Sequence, residues 1–226
     1  MNFRKFLKSE KNFLDHLFFE KKYEWNETSK QNFKRKNYQS YSEYIEHQKS
    51  KLEKVQNLWL PQYDKKYEKI LRERLKKQRI VRPEMSVLCL AARIGTEVKS
   101  FISLGCFAVG IDLNPGKDNK YVVSGDFHNL QFANKSVDVV FTNSLDHSFD
   151  LDRLFREIKR VMRPQGFFIA EINEGKTDKY SPGYYESVYW EKLDDLLLTI
   201  KKYGFKEIAR QKFHYPWEGL HIAFKV

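Results

Sequence analysis

Carboxylate and amide side chains follow three apolar segments in the middle of the chain, at Asp112, Asp126 and Asn143. In a parallel sheet, the loops at the carboxyl ends of the strands can approach a nucleotide. Asp112 is placed to accept hydrogen bonds from both ribose hydroxyls, and Asp126 from the exocyclic amine of adenine. The competing interpretations are a loop-capping role for Asp112 and a turn role for Asp126. We favour a nucleotide-cofactor site at the ends of the strands.

The loop after the first apolar segment contains one glycine, Gly95, at the point where a helix is expected to begin. Unpaired N–H groups at such a point can bind an anion such as a carboxylate, although a glycine is also used for close packing alone. Ala91 and Arg93 precede it in the same loop. For Arg93 we favour contact with a ligand anion, and the alternative is a side chain that fills the pocket and prevents binding.

His147 is the candidate general base of the site. It lies four residues beyond Asn143, at the expected substrate face, and could deprotonate a hydroxyl or an amine. A purely structural role is the alternative interpretation. His128 and His214 have weaker cases, and no zinc-ligand spacing occurs.

From residue 83 onward, apolar segments alternate with helical patterns, which predicts parallel strands joined by crossover helices. The last two segments flank a turn-rich connector at residues 214–219, as in an antiparallel hairpin. The predicted strands are 86–90, 107–112, 121–124, 137–142, 167–172, 205–213 and 220–226, and the predicted helices are 96–104, 151–162 and 189–203.

Residues 87–171 resemble the class I S-adenosylmethionine-dependent methyltransferase domain of the type 11 kind. Within this range, the motifs that match the family include residues 130–132, 136–140 and 157–166. It implies a Rossmann-like methyltransferase sheet that is mostly parallel and ends in an antiparallel hairpin, with S-adenosyl-L-methionine as cofactor. The resemblance implies that Gly95, Asp112, Asp126, Phe127 and Asn143 bind the cofactor. We expect Ala91, Arg93 and Leu113 to belong to the same cofactor-binding site.

The chain departs from the family pattern in its first loop. Cys89 stands where an acidic residue often supports that loop, and Ala91 and Arg93 replace two glycines. Glycines at these positions allow the backbone to approach the cofactor closely. A non-catalytic relative that keeps the fold and binds a partner is therefore an alternative to an active enzyme.

The positive charge of the chain is concentrated near its N-terminus. Residues 1–80 contain 21 Lys and Arg against 11 Asp and Glu, whereas residues 81–226 contain 20 against 19. We predict a basic helical extension over 1–80 and a methyltransferase domain over 81–226. Within the extension, residues 3–18 form an amphipathic pattern that suits docking on the domain or contact with a membrane surface. Residues 20–40 are expected to be irregular, and helices to begin near Ser42 and Gln62.

Composition limits the partners and the compartment. The apolar runs are too short to cross a bilayer, and the first residues do not form a secretory signal. Two cysteines, both in expected core segments, favour a reducing cytoplasm and no metal site.

We expect methyl transfer to a small-molecule or biosynthetic acceptor of glycan or lipid type. A nucleic-acid methyltransferase that uses the basic extension, and a nicotinamide-dependent oxidoreductase, are less favoured alternatives.

Overall fold

Ten strands and five α-helices make up the part of the chain that this computed structural model describes, residues 23–28, 33–55, 60–175 and 182–226. The strands are β1 (Trp25–Thr28), β2 (Phe33–Lys36), β3 (Ser86–Leu90), β4 (Phe107–Asp112), β5 (Val122–Ser124), β6 (Val137–Thr142), β7 (Met162–Ile172), β8 (Val188–Trp190), β9 (Lys206–Phe213) and β10 (Gly219–Lys225). The helices are α1 (Tyr41–Val55), α2 (Leu60–Gln78), α3 (Thr96–Ile102), α4 (Leu151–Val161) and α5 (Leu193–Lys202).

Seven of these strands form the central sheet, in the order β5-β4-β3-β6-β7-β10-β9. Strands β3 to β7 are parallel to one another, and β10 runs antiparallel to both β7 and β9. This arrangement confirms the predicted Rossmann-like sheet with its terminal hairpin. Leu90 pairs with Ile111 and with Thr142, so three strands end side by side. The residues that follow these strands therefore meet at one edge of the sheet.

The central strands are buried on both faces, as expected for parallel strands covered by crossover helices. Leu88 and Cys89 are fully buried and belong to different hydrophobic clusters, because successive side chains of a strand point to opposite faces. Helices α4 and α5 contribute to one cluster, and helices α2 and α3 to the other. Each face of the sheet thus has its own apolar core.

A second, three-stranded sheet, β1-β2-β8, was not predicted. The expectation of irregular structure over residues 20–40 is wrong for β1 and β2, and the helix expected over 189–203 begins only at Leu193. Phe33 pairs with Trp190, and both side chains are buried. Strand β1 pairs with its sequence neighbour β2, and β2 pairs with β8, which is far away in the sequence. A local pattern of residues does not reveal the second pairing.

Helix α2 of the N-terminal extension packs directly on the central sheet. Its residues Tyr67, Leu71 and Leu75 are fully buried and share a hydrophobic cluster with Val87 of β3. The division of the chain near residue 81 stays a prediction. The amphipathic segment 3–18 lies outside the described residues. Within the described ranges, no helix is both long enough and apolar enough to span a bilayer.

Candidate active site

A pocket lies at the carboxyl ends of strands β3, β4, β5 and β6, under helix α1. It contains about 560 Å³ of open space, which includes space continuous with the solvent. The sheet side is formed by Ala91, Arg93, Ile111, Asp112, Leu113, Asn114, Gly125, Phe127, Ser144 and His147, and the helix side by Tyr44, Gln48, Lys51 and Leu52. The N-terminal extension thus supplies one wall of the site.

The loop after β3 has the backbone conformation of a glycine-rich loop, although it contains one glycine. Ala91 has a φ of 52° and Arg93 a φ of 46°, both in the left-handed region, and Gly95 has a φ of 84°. This conformation costs a side chain about 1 kcal/mol. A Cβ atom on Gly95 would lie 2.6 Å from the Cβ of Tyr121, so this position is also closed to other residues by packing. Gly95 does not line the pocket.

Asp112 connects this loop to the pocket. Its Oδ2 accepts a hydrogen bond from the backbone N–H of Arg93 at 2.9 Å, and its Oδ1 accepts one from Asn114 at 2.9 Å. Burial raises the pKa of Asp112, against the hydrogen bond from Asn114 and the charge of Arg93. Each carboxylate oxygen can accept a further hydrogen bond. Asp112 therefore has both the position and the acceptor capacity to bind the two hydroxyls of a ribose.

The Arg93 side chain lines the pocket close to Asp112 and Glu97, and its charge acts on both carboxylates. No hydrogen bond or ion pair joins its guanidinium group to any residue that the structure describes. Its backbone carbonyl accepts a hydrogen bond from Asn119 at 3.1 Å, which fixes the loop. The guanidinium group is therefore available to a ligand anion.

Phe127 lines the pocket, whereas its neighbour Asp126 does not. The Asp126 carboxylate accepts hydrogen bonds from the hydroxyl of Tyr41 on α1 and from the backbone N–H of His128 at 2.8 Å. Burial raises the pKa of Asp126, but the hydrogen bonds from His128 and Tyr41 outweigh burial and hold it below its ordinary value. Asp126 thus ties helix α1 to the sheet.

The ring of His128 is buried, and both of its nitrogen atoms form hydrogen bonds within the protein. Its Nε2 accepts a hydrogen bond from the backbone N–H of Asp150 at 3.1 Å, so in the neutral ring the proton is on Nδ1. Nδ1 then donates to Asp126 at 3.1 Å. Both nitrogen atoms have partners within the protein, which leaves neither of them for a substrate.

Asn143 does not line the pocket either, but its neighbour Ser144 does. The amide of Asn143 donates hydrogen bonds to Glu97 Oε1 at 2.8 Å and to the Tyr67 hydroxyl at 3.1 Å. Its Oδ1 accepts a hydrogen bond from Ser144 at 2.9 Å. Asn143 therefore joins the pocket wall to a buried polar network beneath helix α2.

Glu171 is the centre of that network. It accepts hydrogen bonds from the Tyr67 hydroxyl at 2.7 Å, from the guanidinium group of Arg74, and from His221 Nδ1 at 2.9 Å. Burial raises the pKa of Glu171, but the hydrogen bond and charge of His221 and the charge of Arg74 outweigh burial and lower it. The network fixes α2 and β10 to the end of β7.

Glu97 provides a test of these electrostatics. Burial raises its pKa from 4.5 to about 7, against the opposing effects of its own backbone N–H, Arg93 and Asn143. The folded chain therefore holds this proton more tightly than the unfolded chain, and the stability that Glu97 contributes falls as the pH rises from 4.5 to about 7. As the pH rises from 4.5 to about 7, we expect the free energy of unfolding of Glu97→Gln to increase by about 3 kcal/mol relative to that of the wild type.

The measurement is the free energy of unfolding in urea across a pH series. The control is Glu53→Gln, which removes a carboxylate from the exposed face of α1. If wild type and Glu97→Gln show parallel pH profiles, Glu97 does not titrate as described.

His147 lines the pocket with a defined ring orientation. Its Nδ1 lies 2.8 Å from the carbonyl oxygen of Tyr185, an acceptor only, so Nδ1 carries the proton. Its Nε2 is then the basic nitrogen, and it accepts a hydrogen bond from Lys51 Nζ at 3.0 Å. The backbone carbonyl fixes the tautomer, and Nε2 can take part in proton transfer when an incoming group displaces the side chain of Lys51.

Six of the predicted site residues line the pocket: Ala91, Arg93, Asp112, Leu113, Phe127 and His147. Gly95, Asp126 and Asn143 do not line it, and they hold the elements that form it. Sequence reasoning missed the contribution of α1, whose side chains Tyr44, Gln48, Lys51 and Leu52 share one helical face. Their spacing indicated a helix that packs on something, but not what it covers. Among the described residues no group has the composition of a metal site.

The sequence model of a family described as a methyltransferase domain matches residues 88–170. No curated protein sequence matches the chain. The matched range contains Ala91, Arg93, Asp112, Phe127 and His147, so it includes the sheet side of the pocket. It does not include the extension.

Several solved structures share the fold at low sequence identity. A Burkholderia thailandensis 1,6-didemethyltoxoflavin-N1-methyltransferase, solved with 1,6-didemethyltoxoflavin and S-adenosylhomocysteine, is 15% identical with a TM-score of 0.65, over 91% of this chain and 99% of that chain. A SAM-dependent methyltransferase from Aquifex aeolicus is 15% identical with a TM-score of 0.58, over 78% and 97%. An S-adenosylmethionine-dependent methyltransferase from Mesorhizobium loti is 13% identical with a TM-score of 0.54, over 68% and 96%. At these identities the likeness establishes the fold.

Proposed function

We propose that this chain is a class I S-adenosylmethionine-dependent methyltransferase that methylates a small molecule in the pocket between helix α1 and the central sheet. The observation that carries the proposal is that Asp112, Phe127 and His147 line the same pocket. A ribose-binding carboxylate, a ring-packing side chain and a candidate base thus lie within reach of one bound cofactor and acceptor. A pocket roofed by a helix suits a small acceptor better than a polymer.

The residues of the pocket fit S-adenosylmethionine, which supplies a methyl group already activated on a sulfonium. Asp112 would bind the ribose hydroxyls, and Phe127 and Leu113, which line the pocket, would offer apolar surface to the adenine ring. Gly95, Asp126 and Asn143 support this wall without lining it. The protein then has to align the acceptor with the methyl group and exclude water, which is largely a task of positioning.

Arg93 binds the carboxylate of the cofactor's amino-acid group in this proposal. We expect Arg93→Ala to weaken S-adenosylhomocysteine binding by about tenfold, since a hydrogen bond to a charged group is lost. Binding of 5′-methylthioadenosine, which has no carboxylate, should stay unchanged. Isothermal titration calorimetry measures both affinities. Equal losses for the two ligands would contradict the carboxylate contact, and unchanged affinity and turnover would remove Arg93 from the site.

His147 acts as the general base when the acceptor carries a proton. With Nδ1 held by the Tyr185 carbonyl, Nε2 is the nitrogen that can receive the proton, once the acceptor takes the place of Lys51 beside it. We expect His147→Asn to lower the turnover rate by about a hundredfold, since positioned bases contribute this much or more. Its S-adenosylhomocysteine affinity should stay within about threefold of the wild type. If His147→Asn has the same turnover rate as the wild type at every pH, His147 has a structural role.

Calorimetry with S-adenosylmethionine, S-adenosylhomocysteine and NAD tests the function as a whole. We expect the two adenosyl ligands to bind and NAD not to bind. Absence of adenosyl-ligand binding would favour a non-catalytic relative, and salt-dependent binding of RNA would favour a nucleic-acid acceptor. We also propose a cytoplasmic location, because Cys89 and Cys106 are both buried free thiols.

A further inference from the structure

Lys51 brings a positive charge from the basic N-terminal extension into the pocket. It lies on α1 and lines the pocket beside Gln48 and Leu52. Its Nζ is 3.0 Å from His147 Nε2 and 5.5 Å from the ring centroid of Tyr185. The candidate base of the site thus faces an ammonium group across the pocket.

The pocket wall contains more positively charged side chains than carboxylates. Lys51 and Arg93 are the lysine and arginine of the wall, and Asp112 is its carboxylate. Both oxygens of Asp112 already accept backbone hydrogen bonds, from Arg93 and from Asn114.

In the proposed function the cofactor engages Arg93 through its carboxylate and Asp112 through its ribose, so Lys51 is the cation of the wall that faces an acceptor. The nearest carboxylate to the candidate base is Asp146, whose Oδ1 lies 3.9 Å from His147 Nε2. The ammonium group of Lys51 repels a protonated amine and attracts an anion in a site partly shielded from water. The wall therefore selects against cationic acceptors.

We infer that the methyl acceptor is a small organic anion, an ionised phenol, enol or carboxylic acid whose negative oxygen is bound by Lys51. The inference rests on the proposed function and names the substrate class of the same pocket. Binding of the oxygen replaces the hydrogen bond that Lys51 now donates to His147 Nε2. An oxyanion beside an ammonium group forms a charge-assisted hydrogen bond, which is the stronger kind.

The roles of Lys51 and His147 combine in one balanced step. An acceptor that arrives as a hydroxyl gives its proton to His147 Nε2, and Lys51 stabilises the oxygen anion that results. An oxygen lone pair then forms the bond to the methyl carbon as the carbon–sulfur bond breaks, and that electron pair stays on sulfur. His147 afterwards releases the proton to water. An acceptor that is already ionised requires Lys51 alone.

The distribution of charge along the chain agrees with this inference. Residues 1–80 contain 21 Lys and Arg against 11 Asp and Glu, and Lys51 belongs to this stretch. Positive charge on a protein attracts anions and raises their rate of association. The net charge of this stretch would thus favour an anionic acceptor.

The test compares anions with neutral molecules of the same shape on protein saturated with S-adenosylhomocysteine, which has no methyl group to transfer. The pairs are 4-nitrophenol with 4-nitroaniline, and benzoate with benzamide. We expect the anion of at least one pair to bind about tenfold more tightly than its neutral partner. The visible band of 4-nitrophenolate, recorded below the pKa of the free phenol, reports ionisation in the site. The two pairs distinguish a hydroxyl from a carboxyl acceptor.

Three variants identify the group responsible. Lys51→Met should abolish the preference for the anion, and Lys51→Arg should retain it. Lys49→Met removes the same charge from the exposed face of the same helix and should leave the preference unchanged. If neither anion is preferred by the wild type, or if Lys51→Met keeps the preference, the inference is wrong. Failure of the wild type to bind S-adenosylhomocysteine would instead contradict the proposed function.

Discussion

Asp112→Ala is expected to weaken S-adenosylhomocysteine binding by about a thousandfold. Two effects add. The variant loses the acceptor of both ribose hydroxyls, and hydrogen bonds to a charged group contribute about 1.5–3 kcal/mol each. It also leaves the backbone N–H groups of Arg93 and Asn114 without their carboxylate. The loop that holds Ala91 and Arg93 in the left-handed region then loses its anchor.

Calorimetry of wild type, Asp112→Ala and Asp112→Asn measures this effect. The asparagine variant keeps one acceptor oxygen and nearly the same shape, so its loss should be intermediate. Asp194→Ala, on the exposed side of α5, removes a carboxylate away from the pocket and should bind normally. An Asp112→Ala affinity within about threefold of the wild type would show that the cofactor does not bind at the end of β4.

The buried ion pair of Arg74 and Glu171 gives the largest expected effect on stability. The side chain of Arg74 is 6% exposed and that of Glu171 is 0% exposed. Arg74→Met would leave the buried carboxylate with the hydrogen bonds of Tyr67 and His221 but without the guanidinium group. Breaking one side of such a pair costs about 3–5 kcal/mol, so we expect a loss of about 4 kcal/mol in urea unfolding.

Two comparisons separate this loss from lost packing alone. Arg74→Met combined with Glu171→Gln removes the uncompensated charge and should recover part of the loss. Lys76→Met, which breaks an exposed pair with Glu73, should change stability by about 0.5 kcal/mol or less. A loss for Arg74→Met that is no larger than the loss for Lys76→Met would contradict the importance of the buried pair.

The pH dependence of the same pair follows from the lowered pKa of Glu171. A carboxylate whose pKa is lower in the folded chain stabilises that chain above its unfolded pKa. This contribution is lost as the pH falls through the folded value. Glu171 and Glu97 therefore change the stability in opposite directions, although both lie behind the same wall.

The central sheet could be predicted from sequence because its strands are short apolar runs between turn residues. The register that brings Leu90, Ile111 and Thr142 together follows from the parallel order. The start of β7 at Met162 was missed, since Pro164 and Gly166 resemble the end of a helix followed by a turn. The small sheet was missed because its strands β2 and β8 are distant in sequence.

The pocket was predictable on its sheet side and not on its helix side. Asp112 and Phe127 follow strands, so their position depends on the fold alone. The engagement of Asp126 by Tyr41 depends on how α1 docks, which no local pattern gives. For the same reason the sequence indicated His147 as a candidate base but did not indicate its partner Lys51.

Helix α1 lies outside the matched residues 88–170, yet its side chains form one wall of the pocket. In the proposed function, part of the acceptor site is therefore encoded outside the stretch that binds the cofactor, and this part can change while the cofactor site is kept. Exchange of α1 residues offers a route to enzymes with altered acceptors that leaves Asp112 and its loop intact. In evolution, replacement of helix α1 would let the same cofactor site serve new substrates.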